Sequence, residues 1–555
     1  MADASFDVVV IGGGHQGLII GNYMAMNGMT VGLFDQKNEL GGGAATLPIP
    51  AAGFLGNPHA NGAGFYACPA YQDFNLREKG LRFKFSDVAC TMAYPDDRCI
   101  TIYNATEYND QTGVLSPKPG MIEKNIHEMA RISARDAEQI AKFSGSVEKW
   151  SDAFSRCVYN PPPLPGEPNP LDELLDDPDS GLDRRYYFLS AYDVANDLFD
   201  SPELKTLFLR LMAASGIYPN DICPLSILLF CLTGLVGMAP TGVFVGGTHN
   251  VAHSLQRALS EQGGKFYVGG DVDQIVVENG RARGIILADG SKIEAKQMVI
   301  TSIEIKQTIN RHFRDAEINP EIRRKINNLR TDRQNVFWAH IAIHELPDYK
   351  AKSFNPDMGR GRWNFMGEPD VDYFLHEYQY RQQHMKPGKW PEKMYIYEFI
   401  DSQWDPSYAP PGKHVALFEE TAPPASWRTE QEWVKLREEC IDHIMDEWQK
   451  YAPNMTWDNV IATQCDTPLD AQQRSSNFVD GCWGLTACTA PQDYTLRPIP
   501  ELSQYQIPGI DNFYMASGSC HFSYAVMGFA AYNCYKRITQ HLGLKKPWEE
   551  EGRLY

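Results

Sequence analysis

A glycine motif near the amino terminus constrains the fold of this 555-residue chain more than any other feature. Phe6–Ile11 is rich in β-branched residues and predicts a strand, and Leu18–Asn27 carries apolar residues at helical spacing. Between them stands Gly12-Gly-Gly-His-Gln-Gly17, and Thr30–Phe34 predicts a second strand. A strand, a glycine turn, a helix and a strand in close succession predict the opening of a parallel α/β unit.

The spacing of these glycines predicts a site for a dinucleotide. It allows a tight turn and a close approach of the backbone to a pyrophosphate, while free N–H groups at the helix amino terminus face the phosphates. Asp35 follows the second strand and places a carboxylate where the ribose hydroxyls of an adenosine would lie. The predicted cofactor contacts of this segment are Gly12, Gly14, His15, Gln16, Gly17, Asp35 and Gln36.

A second glycine cluster distinguishes between NAD and FAD. An acidic residue followed by Leu-Gly-Gly and a later Thr resembles the FAD signature of the glutathione-reductase-type flavoproteins. The resemblance implies FAD as cofactor, with contacts from Gly41, Gly42, Gly43, Ala44 and Thr46. Many relatives carry an arginine after the paired glycines, so at Gly43 another group must supply a phosphate contact.

Later segments extend the resemblance along most of the chain. Residues 246–266 resemble the return of the chain to the FAD-binding domain, and Val272 falls where such proteins hold the adenine with backbone atoms. Asp405–Val415, Thr467–Asp470 and Arg497-Pro498 are similar, in order, to the bacterial-type phytoene desaturase family. The expected α/β fold has a Rossmann-like FAD-binding domain and a discontinuous substrate domain of mixed sheet and helices.

The two domains are expected to alternate along the chain. Residues 1–105, 239–305 and 481–555 are predicted to form the FAD-binding domain, the last of them with a carboxy-terminal helix. Residues 106–238 are predicted to form a helical substrate or lid region. Residues 306–480 are predicted to form the sheet and helices of the substrate domain.

Further elements follow from periodicity. An antiparallel meander is predicted with turns at Asn279-Gly280 and Asp289-Gly290; its strands are Lys265–Val268, Gln274–Val277, Ala282–Leu287 and Gln297–Ile300. A second, mixed sheet is predicted from Asn335–Ile343, Met394–Ile400 and His414–Phe418, and one long amphipathic helix from Glu430–Tyr451. The apolar run Leu225–Ala239 is too short to span a bilayer and predicts a buried helix, with a pocket wall or a membrane-dipping surface left open.

The stretch Ser517–Asn533 is predicted to close over the flavin ring. In the phytoene desaturase group a glycine at this place precedes a His-Pro-Gly-Gly-Gly run and a helix whose amino terminus points at the flavin pyrimidine. The resemblance implies flavin contacts from Gly518, Val526 and Met527. Phe522 and Tyr524 replace small residues of that run, so a compact cyclic, terpenoid or aromatic-precursor substrate is as compatible as a long carotenoid.

Three residues are candidates for catalysis. His521 stands in the segment that aligns with a flavin-contacting loop, with Tyr524 beside it. His59 follows the second glycine cluster, where the chain in this fold commonly passes the flavin ring. Acid/base work, substrate binding, a covalent flavin link and a purely structural role all remain open for His59.

Charge and cysteine spacing exclude several classes of function. A net charge of -19 without a basic patch argues against nucleic acid. Twelve cysteines without a C-x-x-C pair argue against a disulfide reductase, and no spacing suits a metal site. The amino terminus lacks a basic region before its first apolar run, which predicts a cytoplasmic location, with peripheral membrane contact and homo-oligomer formation left open.

The resemblance implies an FAD-dependent dehydrogenase or desaturase. Such a protein takes a hydride onto flavin N5 and a proton from the neighbouring atom of a small-to-medium hydrophobic substrate. Oxygen and a quinone are both compatible electron acceptors. A flavin amine oxidase, an isomerase that uses reduced flavin and a non-catalytic FAD-containing scaffold are the alternatives.

Overall fold

The computed structural model describes residues 2–62, 64–109, 112, 114–314, 317–523 and 526–550. The strands are β1 (Ala4–Ile11), β2 (Val31–Asp35), β3 (Phe83–Phe85), β4 (Val88–Ala93), β5 (Cys99–Tyr103), β6 (Thr106–Asn109), β7 (Val114–Pro117), β8 (Gly242–Phe244), β9 (Lys265–Val268), β10 (Val272–Glu278), β11 (Arg281–Leu287), β12 (Lys292–Thr301), β13 (Val336–Ile343), β14 (Gly361–Met366), β15 (Ile396–Phe399), β16 (His414–Thr421), β17 (Val460–Asp466) and β18 (Phe513–Met515). The α-helices are α1 (His15–Met26), α2 (Pro69–Asp73), α3 (Met121–Ala130), α4 (Ala134–Val158), α5 (Pro170–Asp176), α6 (Ala191–Leu198), α7 (Pro202–Ala214), α8 (Leu225–Leu235), α9 (His249–Glu261), α10 (Ile305–Gln307), α11 (Pro320–Asn327), α12 (Val371–Gln383), α13 (Glu430–Tyr451), α14 (Pro468–Arg474) and α15 (Phe529–Leu542).

A parallel sheet with strand order β9-β2-β1-β12-β18 forms the first domain. Its central strand β1 is an apolar run because both faces are covered, and Val8, Val9 and Val10 are fully buried. Helix α1 packs against α9 and α15. The strand–turn–helix–strand unit predicted at the amino terminus is therefore confirmed, and the carboxyl ends of β1 and β2 lie at one edge of the sheet.

The predicted meander forms from β10, β11 and β12, but β9 is not part of it. β9 instead pairs in parallel with β2 at the edge of the first sheet. It follows α9, which packs on α1, so the crossover through α9 returns the chain in parallel with β2. A short apolar run predicts a strand but does not specify its neighbour, and this is why that part of the prediction was wrong.

The second domain contains a mixed sheet with strand order β17-β13-β16-β15-β14-β4-β5. β14 and β4 are parallel, and the other neighbours are antiparallel. One face packs on α13, and the opposite face packs on the helical layer α3–α8. The three strands and the long helix predicted for this domain are present. β4 and β5 come from residues 1–105, so that segment contributes to both sheets.

The helical layer carries the apolar run that begins at Leu225. Helix α8 is buried on most sides, and Phe230 and Thr233 face a cavity, so the run is both a buried helix and a pocket wall. The region also contains the antiparallel hairpin β6–β7, which periodicity did not predict. Among the residues that the structure describes, no helix is long and apolar enough to cross a membrane.

Candidate active site

A cavity of about 520 Å³ lies at the edge of the first sheet where β1 and β2 end. Most residues predicted to contact a dinucleotide line it, although they come from four distant parts of the chain. They are Gly12, Gly14, His15, Gln16, Asp35, Gln36, Gly42, Gly43, Ala44, Val272, Gly518 and Val526. The fold therefore brings together two glycine clusters, the carboxylate and the carboxy-terminal loop.

The glycines hold two backbone segments against each other at the cavity floor. A Cβ at Gly17 would stand 2.0 Å from the carbonyl oxygen of Gly12, so the helix can approach the turn only without a side chain there. The N–H of Gly41 donates to the carbonyl of Gly13 at 2.9 Å. Gly17 and Gly41 thus shape the cavity without lining it.

Asp35 is fixed by backbone donors at the cavity edge. Its Oδ2 accepts from the N–H of Gly13 at 2.6 Å, and its Oδ1 accepts from the N–H of Lys37 at 2.7 Å. Burial raises the pKa of Asp35, while these two hydrogen bonds oppose the shift. Each oxygen keeps further lone pairs, which suit the hydroxyls of a ribose.

The donor set of this cavity fits FAD. The ring of His15 lines the cavity, and its Nε2 has no hydrogen-bond partner within the described residues. Lys37 also lines the cavity and offers a positive charge, whereas Arg311 and Arg474, which line it too, are paired with Asp271 and Asp466. At Gly43 a Cβ would stand 3.0 Å from the Phe478 ring, so any larger side chain there would require this ring to shift.

A second cavity of about 300 Å³ lies between the sheet of the second domain and the helical layer. Its walls are mostly aromatic or aliphatic, with Phe154 and Phe230 from the helices and Trp338, Trp363 and Tyr397 from the strands. The two cavities share three lining residues, which are His59, Ala60 and Trp483. A ligand in the apolar cavity therefore meets a cofactor in the first cavity at this junction.

The hydrogen bonds of His59 fix its tautomer at the junction. Its Nε2 lies 2.9 Å from the guanidinium of Arg474, which in turn donates to Asp466 at 2.5 Å. Because arginine only donates, Nε2 of His59 must accept, and the proton is on Nδ1. Burial and the Arg474 charge hold the pKa of His59 well below its usual range. His59 is therefore a neutral N–H donor at neutral pH, and its Nε2 is not free to act as a base.

Comparison with known proteins identifies the family. A sequence model described as flavin containing amine oxidoreductase matches residues 17–530. The chain belongs to this family. It is therefore an FAD-dependent oxidoreductase, which confirms the cofactor and reaction class predicted from the two glycine clusters.

Individual relatives of this flavin oxidoreductase differ in what their names say. One of the chains of a limonene dehydrogenase from Castellaniella defragrans is 24% identical over 99% of this chain and 97% of its own length. A 4,4'-diapophytoene desaturase of a Methylomonas species is 21% identical over 53% of each chain. A solved structure of a putrescine oxidase variant superposes with a TM-score of 0.58 at 12% identity, covering 97% of this chain and 98% of its own, which shows the shared fold.

His521 of the oxidoreductase lies apart from both cavities. It is fully buried, and its Nε2 donates to the carbonyl oxygen of Cys157 at 2.8 Å. Burial lowers the pKa of His521 to about 3. Phe522 packs on Phe154 behind the wall of the apolar cavity. This placement does not support the catalytic role predicted for His521; Tyr524 lies outside the described residues.

The remaining predicted contacts divide between the two cavities or lie behind them. Met527 lines the apolar cavity, whereas its neighbour Val526 lines the nucleotide cavity. Thr46 lines neither and donates to Oδ1 of Asn57 at 2.8 Å. Helix α15 begins only after Met527, and the N–H of Ala531 in its first turn donates to the side chain of Gln16 at 2.9 Å. Its first turn is therefore partly satisfied within the protein.

Sequence reasoning missed several residues of the oxidoreductase site. Arg474 follows the Thr467–Asp470 segment and reaches His59 only through the tertiary fold. Trp483 lies between segments that gave no periodic signal. Glu419 lines the apolar cavity, and the two adjacent acidic residues Glu419 and Glu420 after the apolar run of strand β16 were a usable signal.

Proposed function

We propose that this oxidoreductase dehydrogenates a compact cyclic hydrocarbon of the monoterpene class. The observation that carries the proposal is the apolar cavity that meets the nucleotide cavity at His59, Ala60 and Trp483. A substrate in it is surrounded mainly by aromatic and aliphatic side chains. Such walls offer few polar partners, which suits a hydrocarbon better than a polar metabolite.

The size of the cavity supports a small substrate. A cavity of about 150 Å³ holds benzene in a well-packed protein. The apolar cavity here measures about 300 Å³, which is twice that volume. By this scale it takes roughly ten to twelve carbon atoms. A long carotenoid would need far more room, so of the two substrate classes that the sequence left open we propose the compact one.

The relative with limonene in its name supports the same class. It matches nearly the whole length of this chain, including the helical layer that forms one cavity wall. The carotenoid desaturase matches only about half of each chain. The substrate of the full-length relative is therefore the more informative guide to the chemistry of this cavity.

The side chains at the junction have three tasks in such a reaction. Bound FAD supplies the acceptor for a hydride. The aromatic walls exclude water and hold a C–H bond of the substrate toward the junction. The Nδ1–H of His59, oriented through Arg474 and Asp466, offers a neutral hydrogen-bond donor beside the cofactor cavity.

Anaerobic mixing tests the proposal. Purified FAD-loaded protein is mixed with cyclic monoterpenes, primary amines and a long carotenoid, and the flavin absorbance is followed. Cyclic monoterpenes should bleach the flavin, and the variant Phe230→Trp, which fills the cavity, should lose that response while it keeps its flavin. Phe188→Ala, at an exposed position of the same helical layer, serves as the control. Bleaching by the carotenoid alone would contradict the proposal.

An amine oxidase is the second candidate, and one observation favours it. Glu419 places a carboxyl group in the mostly apolar cavity, where an ammonium group could pair with it. Bleaching by amines but not by hydrocarbons, with hydrogen peroxide released in air, would establish this alternative. The same mixing experiment therefore separates the two candidates.

A further inference from the structure

We propose that Glu419 accepts the proton that the substrate loses and passes it to a water molecule held in a small polar cavity beside it. The inference rests on the proposed function, since it assigns a catalytic residue to the dehydrogenation. Two independent observations support it. One is the position of Glu419 in the substrate cavity. The other is a group of buried polar atoms that line a small cavity next to Glu419 and have no hydrogen-bond partner within the described residues.

Strand geometry directs Glu419 into the substrate cavity. On β16, Phe418 packs in the hydrophobic core between the sheet and α13, whereas Leu417 packs in the core between the sheet and the helical layer. Glu419 therefore points toward the helical layer, as alternation along a strand requires. It pairs across the strands with Trp338, which also lines the cavity. The carboxyl group thus lies on the same wall as the aromatic residues that contact the substrate.

Glu419 also lines a second, small cavity of about 20 Å³. A water molecule needs a site of roughly 10 to 15 Å³ and two to four polar partners. Arg210, Tyr218 and Gln334 line this cavity and are each at most 3% exposed. The Nε and one terminal nitrogen of Arg210, the hydroxyl of Tyr218 and the amide nitrogen of Gln334 have no hydrogen-bond partner within the described residues. One bound water satisfies several of these groups and contacts Glu419.

Burial and the neighbouring charges place the pKa of Glu419 where the group can both bind and release a proton near neutral pH. Burial raises the pKa of Glu419 to about 8, and the carboxyl group of Glu420 on the neighbouring position adds to the shift. The guanidinium groups of Arg362 on β14 and Arg210 on α7, together with the amide of Asn61, oppose it. Glu419 is therefore mainly protonated at pH 7 and becomes a carboxylate above about pH 8.

The proposed step balances atoms and electrons. Bound FAD would supply the acceptor for one substrate hydrogen, which leaves its carbon together with both electrons of the C–H bond. The C–H bond on the adjoining carbon breaks heterolytically, and its electron pair forms the C=C bond. The proton from that carbon binds the Glu419 carboxylate, whose negative charge also stabilises the positive charge that develops on the substrate. Glu419 then loses the proton to bulk solvent by way of the water in the small cavity, which passes on one of its own protons, and the carboxylate is restored.

The variant Glu419→Gln tests the role of the carboxyl group in the FAD-loaded protein. The first anaerobic flavin reduction by a cyclic monoterpene should be slowed about 100-fold or more at pH 9, a typical contribution of acid–base catalysis. In the wild type the rate should rise with pH through about 8, and the variant should lose this rise. Substrate affinity, measured from the shift of the flavin spectrum on mixing, should be unchanged. A wild-type rate and pH profile in the variant would overturn the proposal.

A matched control removes a different buried carboxyl group. Burial also raises the pKa of Glu447 on α13, which pairs with Lys450 and lines neither cavity. Glu447→Gln should keep the wild-type rate and pH profile, so an effect confined to Glu419→Gln supports the proposal.

The variant Tyr218→Phe removes one ligand of the proposed water. It should leave the first reduction unchanged and slow repeated turnover, and unchanged turnover would overturn the part of the proposal that concerns water.

A measurement without substrate separates this inference from the proposed function. Infrared difference spectra between pH 6 and pH 10 should show a protonated carboxyl band in the wild type and in Glu447→Gln that is missing in Glu419→Gln. Absence of any difference between wild type and Glu419→Gln would overturn the assignment whatever the substrate is. If amines reduce the flavin and monoterpenes do not, the proposed function is wrong. The role of Glu419 is then tested by comparing the rates of flavin reduction by amines in the wild type and in Glu419→Gln.

Discussion

At the scale of single residues, two histidines show that position decides chemistry. His59 and His521 were both catalytic candidates because each stands in a segment that passes the flavin in related proteins. The structure places His59 at the junction of the cavities with its tautomer fixed by Arg474, and it places His521 in the core with its Nε2 on a backbone carbonyl. Both rings are neutral at pH 7, but only His59 lies where a ligand can meet it.

The burial of His521 predicts how stability depends on pH. Its pKa is about 3 in the folded protein, against 6.5 for an ordinary histidine, so only the unfolded chain binds a proton between these values. The stability contributed by neutral His521 is complete above pH 6.5 and is lost as the pH falls below it. His521→Gln keeps a donor for the Cys157 carbonyl but does not titrate. The difference in the free energy of unfolding between the wild type and this variant should therefore fall by about 1.4 kcal/mol for each unit by which the pH is lowered from 6 to 4. Urea denaturation at several pH values measures it, and parallel curves would contradict the prediction.

At the scale of elements, local signals predicted helix and turn positions better than strand partners. Helix α13 has the same bounds as the predicted Glu430–Tyr451, because Thr429 and Glu432 form a capping box at its start. The turn Asn279-Gly280 lies between β10 and β11 as predicted, with φ of 52° and 72°. The neighbour of β9 was not predictable in this way, since pairing depends on where α9 packs.

Two glycines should respond to alanine with opposite signs. Gly280 lies in the left-handed region, where a side chain costs about 1 to 2 kcal/mol, and its Cβ would stand 3.2 Å from the Gly509 carbonyl oxygen. Gly145 lies inside α4, and beyond its own helical turns no atom of the described residues stands within 4 Å of the position that a Cβ would take, so Gly145→Ala should stabilise by about 0.5 to 1 kcal/mol. Thermal unfolding of the two variants gives both signs. A stabilised Gly280→Ala would contradict the turn geometry.

At the scale of the whole molecule, the site exists because the two domains enclose adjoining cavities. The nucleotide cavity belongs mainly to the first sheet, and the apolar cavity lies between the second sheet and the helical layer. Contact between them depends on a small side chain at position 60, beside His59 and Trp483. Because the side chain of alanine is a single methyl group, it takes up little of the passage between the cavities.

A larger side chain at position 60 should slow the reduction of the flavin by substrate without reducing the binding of the flavin. Ala60→Leu adds carbon atoms at the junction, so the flavin content should stay near that of the wild type while reduction by substrate falls about 100-fold, because small displacements of reacting groups have effects of this size. The flavin absorbance of the purified variant measures the first quantity, and anaerobic mixing measures the second. Ala288→Leu on the surface is the control, and an undiminished reduction rate in Ala60→Leu would contradict the position of the junction.

The amino-acid sequence was enough to predict the FAD-binding unit and the class of reaction. Gly12, Gly14, Gly17 and Asp35 are local signals, because a tight turn and a carboxylate at the end of a strand need only their own neighbours in the chain. The arrangement of polar groups around the substrate cavity depends instead on how the chain folds. Glu419, Arg474 and Trp483 come from separate segments, and their hydrogen bonds, burial and charges depend on which distant residues the two domains bring against them.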